Sequence, residues 1–375
     1  MTYKIENAAV IGAGTMGAAI AAHLANAGVK ALLLDIVPTE LTPDEVQNGL
    51  TLEDPAVRNR IVRQGWDRCL AARPANLFSD RRAHLVSLGN LEDDIGLISE
   101  ADWIIEAVVE RLEIKHQIMQ RIETERRPDS IVTTNTSGLP IHKISEGLNA
   151  EFKAHFLGTH FFNPPRYLKL LEIIPGAETK PEIVDFLTEF ATVRLGKGVI
   201  LTKDTPNFVG NRLFSIVNSY TLDYALENGY TVEEVDRLTG TLIGHPKTAT
   251  YRLLDLVGID VMGDVRNHLY PALEGDEYRE VLISPKTEAM VQGVVERGWL
   301  GRKVGQGFYK KVIAEGNTEY HWLDTEEFEY RAPTNPKFES VGTHRGEEDI
   351  GVRLKRIIEE GDRASQFLWA TTSFG

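Results

Sequence analysis

The feature that most constrains the fold is a glycine-rich turn, Gly12-Ala13-Gly14-Thr15-Met16-Gly17. An apolar run over 7–12 leads into it, and an alanine-rich stretch with helical spacing follows over 15–28. The next apolar run, 30–35, ends on Asp35. Strand, glycine turn, helix, then strand closed by an acid is the pattern of a dinucleotide-binding βαβ unit. Gly12 permits the tight turn, Gly14 lets a pyrophosphate approach the helix start at Thr15 and Met16, and Gly17 allows helix and strand to pack closely. Asp35 can accept hydrogen bonds from both ribose hydroxyls and would repel a 2′-phosphate. Ile36-Val37-Pro38 supply no arginine to offset that repulsion, so NAD is favoured over NADP.

Further apolar runs at 102–109 and 130–134 flank a helical pattern over 112–126. This alternation predicts an α/β fold with a parallel, doubly wound Rossmann-type sheet. Residues 37–90 read as a polar, Arg-rich arm with a helical pair, inserted after the second strand. The character changes near residue 200. Thr205-Pro206 reads as the cap and first position of a long helix, 206–228, which would hold Asn207 in its first turn. Thr231-x-x-Glu234 is a capping box, and the chain reads as all-helical to about 299. The expected organisation is a sheet domain over 1–200, a helical domain over 201–311, and a short tail over 312–375. In the tail, 312–331 alternates like a hairpin, 332–349 reads as a linker, and 350–371 as one helix. The apolar face of that helix (Phe367, Leu368, Trp369) calls for a partner.

Composition excludes several classes of function. A formal charge of −14 argues against a nucleic-acid partner. No apolar run is long enough for a membrane span. The single cysteine, Cys69, suits a reducing compartment, and strand-like sequence from residue 7 leaves no room for a presequence. A cytoplasmic location is the expectation.

Candidate site residues cluster where apolar runs end. Glu110 follows the 102–109 run, with Lys115 five residues on; a helix-start acid and a solvated lysine would read the same way. Asn135 and Ser137 close the next run, where they could reach a ligand, or Ser137 could cap a helix. In GTHFFNPPRYLKLLE (158–172), Glu172 shares a strand face with Leu168, Leu170 and Ile174. A carboxylate there is costly unless paired. His160, brought back by the Asn163-Pro164-Pro165 turn, could pair with it, or Glu172 could reach solvent at a strand end.

Taken jointly, GAGTMG, NTSGLPI, GTHFFNPPRYLKLLEII, DTPNFVGNR and GRKVGQGFYKK occur in an order that resembles the L-3-hydroxyacyl-CoA dehydrogenase family from residue 5 to about 311. The resemblance implies His160 as general base and Glu172 as its partner, with Ser137 and Asn207 beside the substrate hydroxyl and acyl carbonyl. It implies an NAD site lined by Gly12, Gly14, Thr15, Met16, Gly17, Asp35, Glu110, Lys115, Asn135, Ser137, Asn163 and Lys303. It also implies an acyl-CoA substrate and a homodimer through the helical domain.

Coenzyme A is anionic, so a locally basic surface is expected in this acidic chain. Residues 58–82 carry Arg58, Arg60, Arg63, Arg68, Arg73, Arg81 and Arg82 against Asp67 and Asp80. Arg60 and Arg63 are the candidate contacts to its phosphates; a solvated helix face would read the same way. The arm and tail are most similar to bacterial fatty-acid β-oxidation proteins that fuse this dehydrogenase to an enoyl-CoA hydratase. The final helix then resembles the entry to a further module, and no hydratase activity is expected here. Two rivals are a dehydrogenase of small hydroxy acids with a similar HxxNPP motif and a non-catalytic scaffold.

Overall fold

The computed structural model describes residues 3–314 and 316–373. The chain divides into two compact units, Met1–Gly210 and Asn211–Gly375. In the first, eight strands form one sheet: β1 (Asn7–Ile11), β2 (Lys30–Asp35), β3 (Val86–Asn90), β4 (Trp103–Glu106), β5 (Ile131–Thr134), β6 (Phe156–Phe161), β7 (Leu170–Pro175) and β8 (Gly198–Leu201). Their order is β3-β2-β1-β4-β5-β6-β7-β8, and every neighbouring pair is parallel except β6–β7.

Burial on both faces explains the near-continuous apolar strands. Val10, Leu33 and Ile105 point into one core with helices Thr15–Asn26, Arg60–Ala71 and Pro181–Val193. Ala9, Ile11, Leu34 and Ile104 point into the other, with helix Leu112–Glu125.

The arm differs from expectation at its end. Its last residues form β3, paired in parallel with β2 from Ala31–Val86 to Asp35–Asn90. VSLGN is too short and too polar to announce itself as a strand. Helix Arg60–Ala71 buries Val62, Gly65, Trp66 and Cys69, one face at helical spacing. A β-carbon on Gly65 would stand 2.1 Å from the Ala13 carbonyl oxygen, so this helix lies directly against the glycine turn.

The expected 206–228 helix begins later, at Gly210, and runs to Glu227. Asn207 and Phe208 adopt left-handed conformations, with φ of 55° and 51°. Asn207 therefore sits in a turn before the helix, and Thr205 does not cap it.

In the second unit the capping box forms: Thr231 and Glu234 each accept the other's backbone N–H. The residues expected as a tail are part of this unit's core. β9 (Tyr309–Ala314), β10 (Asn317–Asp324) and β11 (Glu329–Arg331) make a three-stranded antiparallel sheet, where a hairpin was expected. The expected linker holds helix Glu339–His344. The expected final helix is two, Ile350–Glu359 and Arg363–Thr372, broken at Gly361 with φ of 72°. Phe367 and Leu368 are fully buried in this unit's core beside Tyr230, Leu323 and Ile357, so that face is already partnered. Trp369 alone of the three is exposed.

Candidate active site

Strands β6 and β7 are consecutive and antiparallel, and their register sets His160 directly opposite Glu172. The His160 Nδ1–H donates to Glu172 Oε2 at 2.6 Å, with both side chains buried. An ionised carboxylate can only accept, so it fixes the tautomer with the proton on Nδ1 and the lone pair on Nε2. No protein hydrogen bond reaches Nε2 among the described residues. The rings of Phe162 and Phe208 flank the imidazole, with centroids 4.3 and 5.9 Å away.

Glu172 is satisfied on both oxygens. Oε1 accepts the backbone N–H groups of Val209 and Gly210 at 2.9 and 2.7 Å. This explains the two left-handed residues before the helix: they turn the amides of 209 and 210 toward the carboxylate. Burial pushes the Glu172 carboxyl up, but the hydrogen bonds from His160, Gly210 and Val209 outweigh it and hold it below its ordinary value. Of the two sequence readings for Glu172, the paired one holds.

Asn207 lies next to Phe208 on the same turn, and a β-carbon on Gly138 would meet its Oδ1 at 2.3 Å. The Ser137-Gly138 turn is therefore against the Asn207 side chain. Glu110 holds that turn from the other side. Its Oε1 accepts the N–H groups of Ser137 and Gly138 at 2.9 and 3.2 Å, and the Thr136 hydroxyl. Asn135 is nearly buried, and its Oδ1 accepts the Phe161 N–H at 2.9 Å, which fixes the end of the histidine strand. Asn163 is exposed on the β6–β7 connection.

Lys115 is not the solvated lysine of the alternative reading. It is buried, with its ammonium 2.8 and 3.0 Å from the oxygens of Glu106 and 3.3 Å from Glu110. Glu106, the last residue of β4, was missed from sequence. It also accepts from Thr134 Oγ1 at 2.6 Å and from the Val108 N–H at 2.7 Å. In the sequence it lies inside the 102–109 apolar run, so its place at the end of β4 carried no signal. Burial pushes Glu110 up, but Lys115, Thr136 and Ser137 outweigh it and hold it low.

The glycine turn has the tight geometry expected at Gly12 and the close packing expected at Gly17. Gly12 has φ of 104°, and a β-carbon there would stand 2.5 Å from the Ala107 carbonyl oxygen. On Gly17 it would stand 1.7 Å from the Gly12 oxygen, so helix and turn are in direct contact. On Gly14 it would meet nothing within 4 Å. The helix that starts at Thr15 has no side-chain cap and no acid in its first turn, so its amide end is available to an anion. Thr15 is exposed and Met16 half-buried at this end. Asp35 stands beside the turn, with Oδ2 accepting the Ala13 N–H at 2.6 Å. These residues fit a dinucleotide.

Residues 7–205 match the family model for the 3-hydroxyacyl-CoA dehydrogenase NAD binding domain, and 208–311 match that for its C-terminal domain. The chain belongs to the 3-hydroxyacyl-CoA dehydrogenase family. This is a family of NAD-dependent oxidoreductases acting on CH–OH groups. The chain is 47% identical over its full length to a probable 3-hydroxyacyl-CoA dehydrogenase of Bacillus subtilis, of which it covers 46%. It is 33% identical, over 84% of its length, to a putative fatty acid oxidation complex trifunctional enzyme of Rickettsia felis, of which it covers 42%. The chain thus spans less than half of either relative. A solved (S)-3-hydroxybutyryl-CoA dehydrogenase from Ralstonia eutropha is similar over 81% of this chain and 98% of that one, with TM-score 0.62 and 26% identity.

Two expected 3-hydroxyacyl-CoA dehydrogenase site residues stand differently from the rest. Lys303 belongs to the second unit, where its ammonium lies 2.5 and 2.7 Å from the Asp260 carboxylate. Arg60 is committed inside the arm, to the Glu45 carboxylate and the Glu40 carbonyl, whereas Arg63 is exposed. Arg63 is thus the more accessible of the two candidate phosphate contacts. No helix among the described residues is long and apolar enough to cross a membrane.

Proposed function

We propose that this chain oxidises L-3-hydroxyacyl-CoA thioesters to 3-oxoacyl-CoA thioesters, as a step of fatty-acid oxidation. The observation that carries the reading is a buried imidazole whose Nδ1 is held by an ionised carboxylate and whose Nε2 takes no protein hydrogen bond among the described residues. His160 Nε2 takes the substrate's hydroxyl proton, and Glu172 stabilises the imidazolium that results. NAD, held by the Gly12–Gly17 turn and Asp35, supplies the acceptor for the hydride leaving the same carbon. In the reductive direction the protonated His160 returns its proton to the carbonyl oxygen.

Ser137 and Asn207 are the groups we assign to the hydroxyl and the acyl carbonyl; their contact through Gly138 supports a shared task. Glu110 orients the Ser137 turn from behind, and Asn135 orients the strand that carries His160. Asn163 is assigned to the cofactor. Arg63 is assigned to the coenzyme A phosphates. Residues 1–210 carry the proton chemistry in this assignment.

The test is NADH consumption with acetoacetyl-CoA beside free acetoacetate. Turnover of the thioester alone supports the reading. Turnover of the free acid alone would transfer the chain to the hydroxy-acid dehydrogenases, and turnover of neither would remove the reading.

A further inference from the structure

Lys197 is a buried ammonium for which the proposed chemistry has no use. It is 4% exposed, and no carboxylate lies within ion-pair distance among the described residues. Burial pushes it down to about 8. An uncompensated buried charge is costly, so what it touches needs explaining. Its Nζ donates to the carbonyl oxygens of Pro165 and, at 2.9 Å, Leu168. It also lies 5.5 Å from the centre of the Phe161 ring. Charged donors make the stronger hydrogen bonds to carbonyls, which offsets part of the burial cost.

Those partners have a particular place in the site. Residues 162–169 connect the strand of His160 to the strand of Glu172, and Asn163 lies on them. The connection is also held from outside. Arg166 donates to the carbonyls of Ala75 and Leu77 at 2.6 and 2.7 Å, and the Tyr167 hydroxyl donates to Ala75 at 3.0 Å. The Arg166 guanidinium stacks on Phe78 at 4.4 Å, on the arm that carries Arg63. Lys197 thus grips the connection from inside, and Arg166 ties it to the arm.

We propose that Lys197 is a positioning residue of this dehydrogenase: its ammonium clamps the 162–169 connection so that His160, Asn163 and the arm hold one arrangement during turnover. The proposal rests on the function assigned above. Lys197 does not touch the reacting atoms. Removing its charge should slow turnover and leave the glycine turn's hold on the cofactor unchanged.

The experiment compares the wild-type chain with Lys197→Met, Lys197→Ala and Arg166→Met in acetoacetyl-CoA reduction, with NADH affinity measured separately by fluorescence. For Lys197→Met, kcat is expected to fall roughly tenfold or more while the NADH dissociation constant, set mainly by the glycine turn and Asp35, rises by less than about fivefold. Added ethylammonium should restore part of the kcat of Lys197→Ala, because it returns a cation to the two carbonyls. A folded Lys197→Met with wild-type kcat would overturn the proposal. Should both Lys197 variants fail to fold, Arg166→Met decides. A fall of about threefold or more in kcat/KM for the thioester is then expected, and no change overturns the proposal. Wild-type inactivity would instead strike the functional assignment, so the two failures are distinct.

Discussion

Two buried carboxylates stand in the same sheet and meet different fates. Glu106, at the end of β4, is closed: Lys115, Thr134 and the Val108 amide occupy its oxygens, and the Lys115 ammonium is shared between Glu106 and Glu110. Glu172, in β7, is equally satisfied, but its partner is a histidine whose second ring nitrogen takes no protein hydrogen bond among the described residues. The first arrangement holds β4, β5 and the helix after β4 together. The second has one valence to spare, and that valence is where chemistry enters. The same contrast recurs in smaller groups. Gly17 is closed against the Gly12 oxygen whereas Gly14 faces open space, and Arg60 is paired within the arm whereas Arg63 is exposed.

Breaking the closed site should cost stability before activity. Lys115→Met leaves Glu106 buried without its cation, a loss of about 3–5 kcal/mol in urea unfolding. A variant as stable as wild type would show that Lys115 is not structural. Glu172→Gln should instead act on turnover, lowering kcat roughly 10²-fold, at the lower end of what general-base catalysis contributes.

Glu172 also gives a pH signature. Its folded carboxyl is held below the ordinary 4.5, so its stabilisation is present above that value and lost as pH falls through the folded value. The stability gap between wild type and Glu172→Gln should therefore narrow in acid. A gap that stays constant below pH 4.5 would contradict the shift.

The glycines sharpen the comparison at smaller scale. Gly14→Ala should leave thermal stability within about 1 kcal/mol, since a β-carbon there meets nothing within 4 Å, while weakening NADH roughly tenfold. Equal NADH affinity would place the pyrophosphate elsewhere. The smallest effect is expected at Arg63→Ala: a rise of about threefold in KM for the thioester, in proportion to one exposed ionic contact, with kcat retained. An unchanged KM would leave coenzyme A recognition to other residues.

Much of the site was legible because its residues obey local rules. The glycine turn and Asp35 follow from strand periodicity and turn chemistry, whereas the His160–Glu172 pair was one of two open readings that only the family resemblance favoured. What the sequence hid depends on distant partners. Glu106 looked like one more residue of an apolar strand, because the lysine that explains it comes from the following helix. The left-handed Asn207 and Phe208 are invisible to helical periodicity, since Glu172 imposes them from 35 and 36 residues upstream. The segment after 311 read as a tail because its apolar residues are widely spaced. Trp322, Leu323, Phe367 and Leu368 converge on one core only once the strands and helices have formed.

The most direct test of the central claim is turnover by His160→Gln in the acetoacetyl-CoA reaction, with NADH binding measured on the same sample. The account predicts a fall in kcat on the order of 10³-fold with NADH affinity nearly intact, as expected when a general base is removed from an otherwise unchanged site. Turnover at the wild-type rate would contradict it and leave the buried histidine–glutamate pair as structural as Glu106 and Lys115.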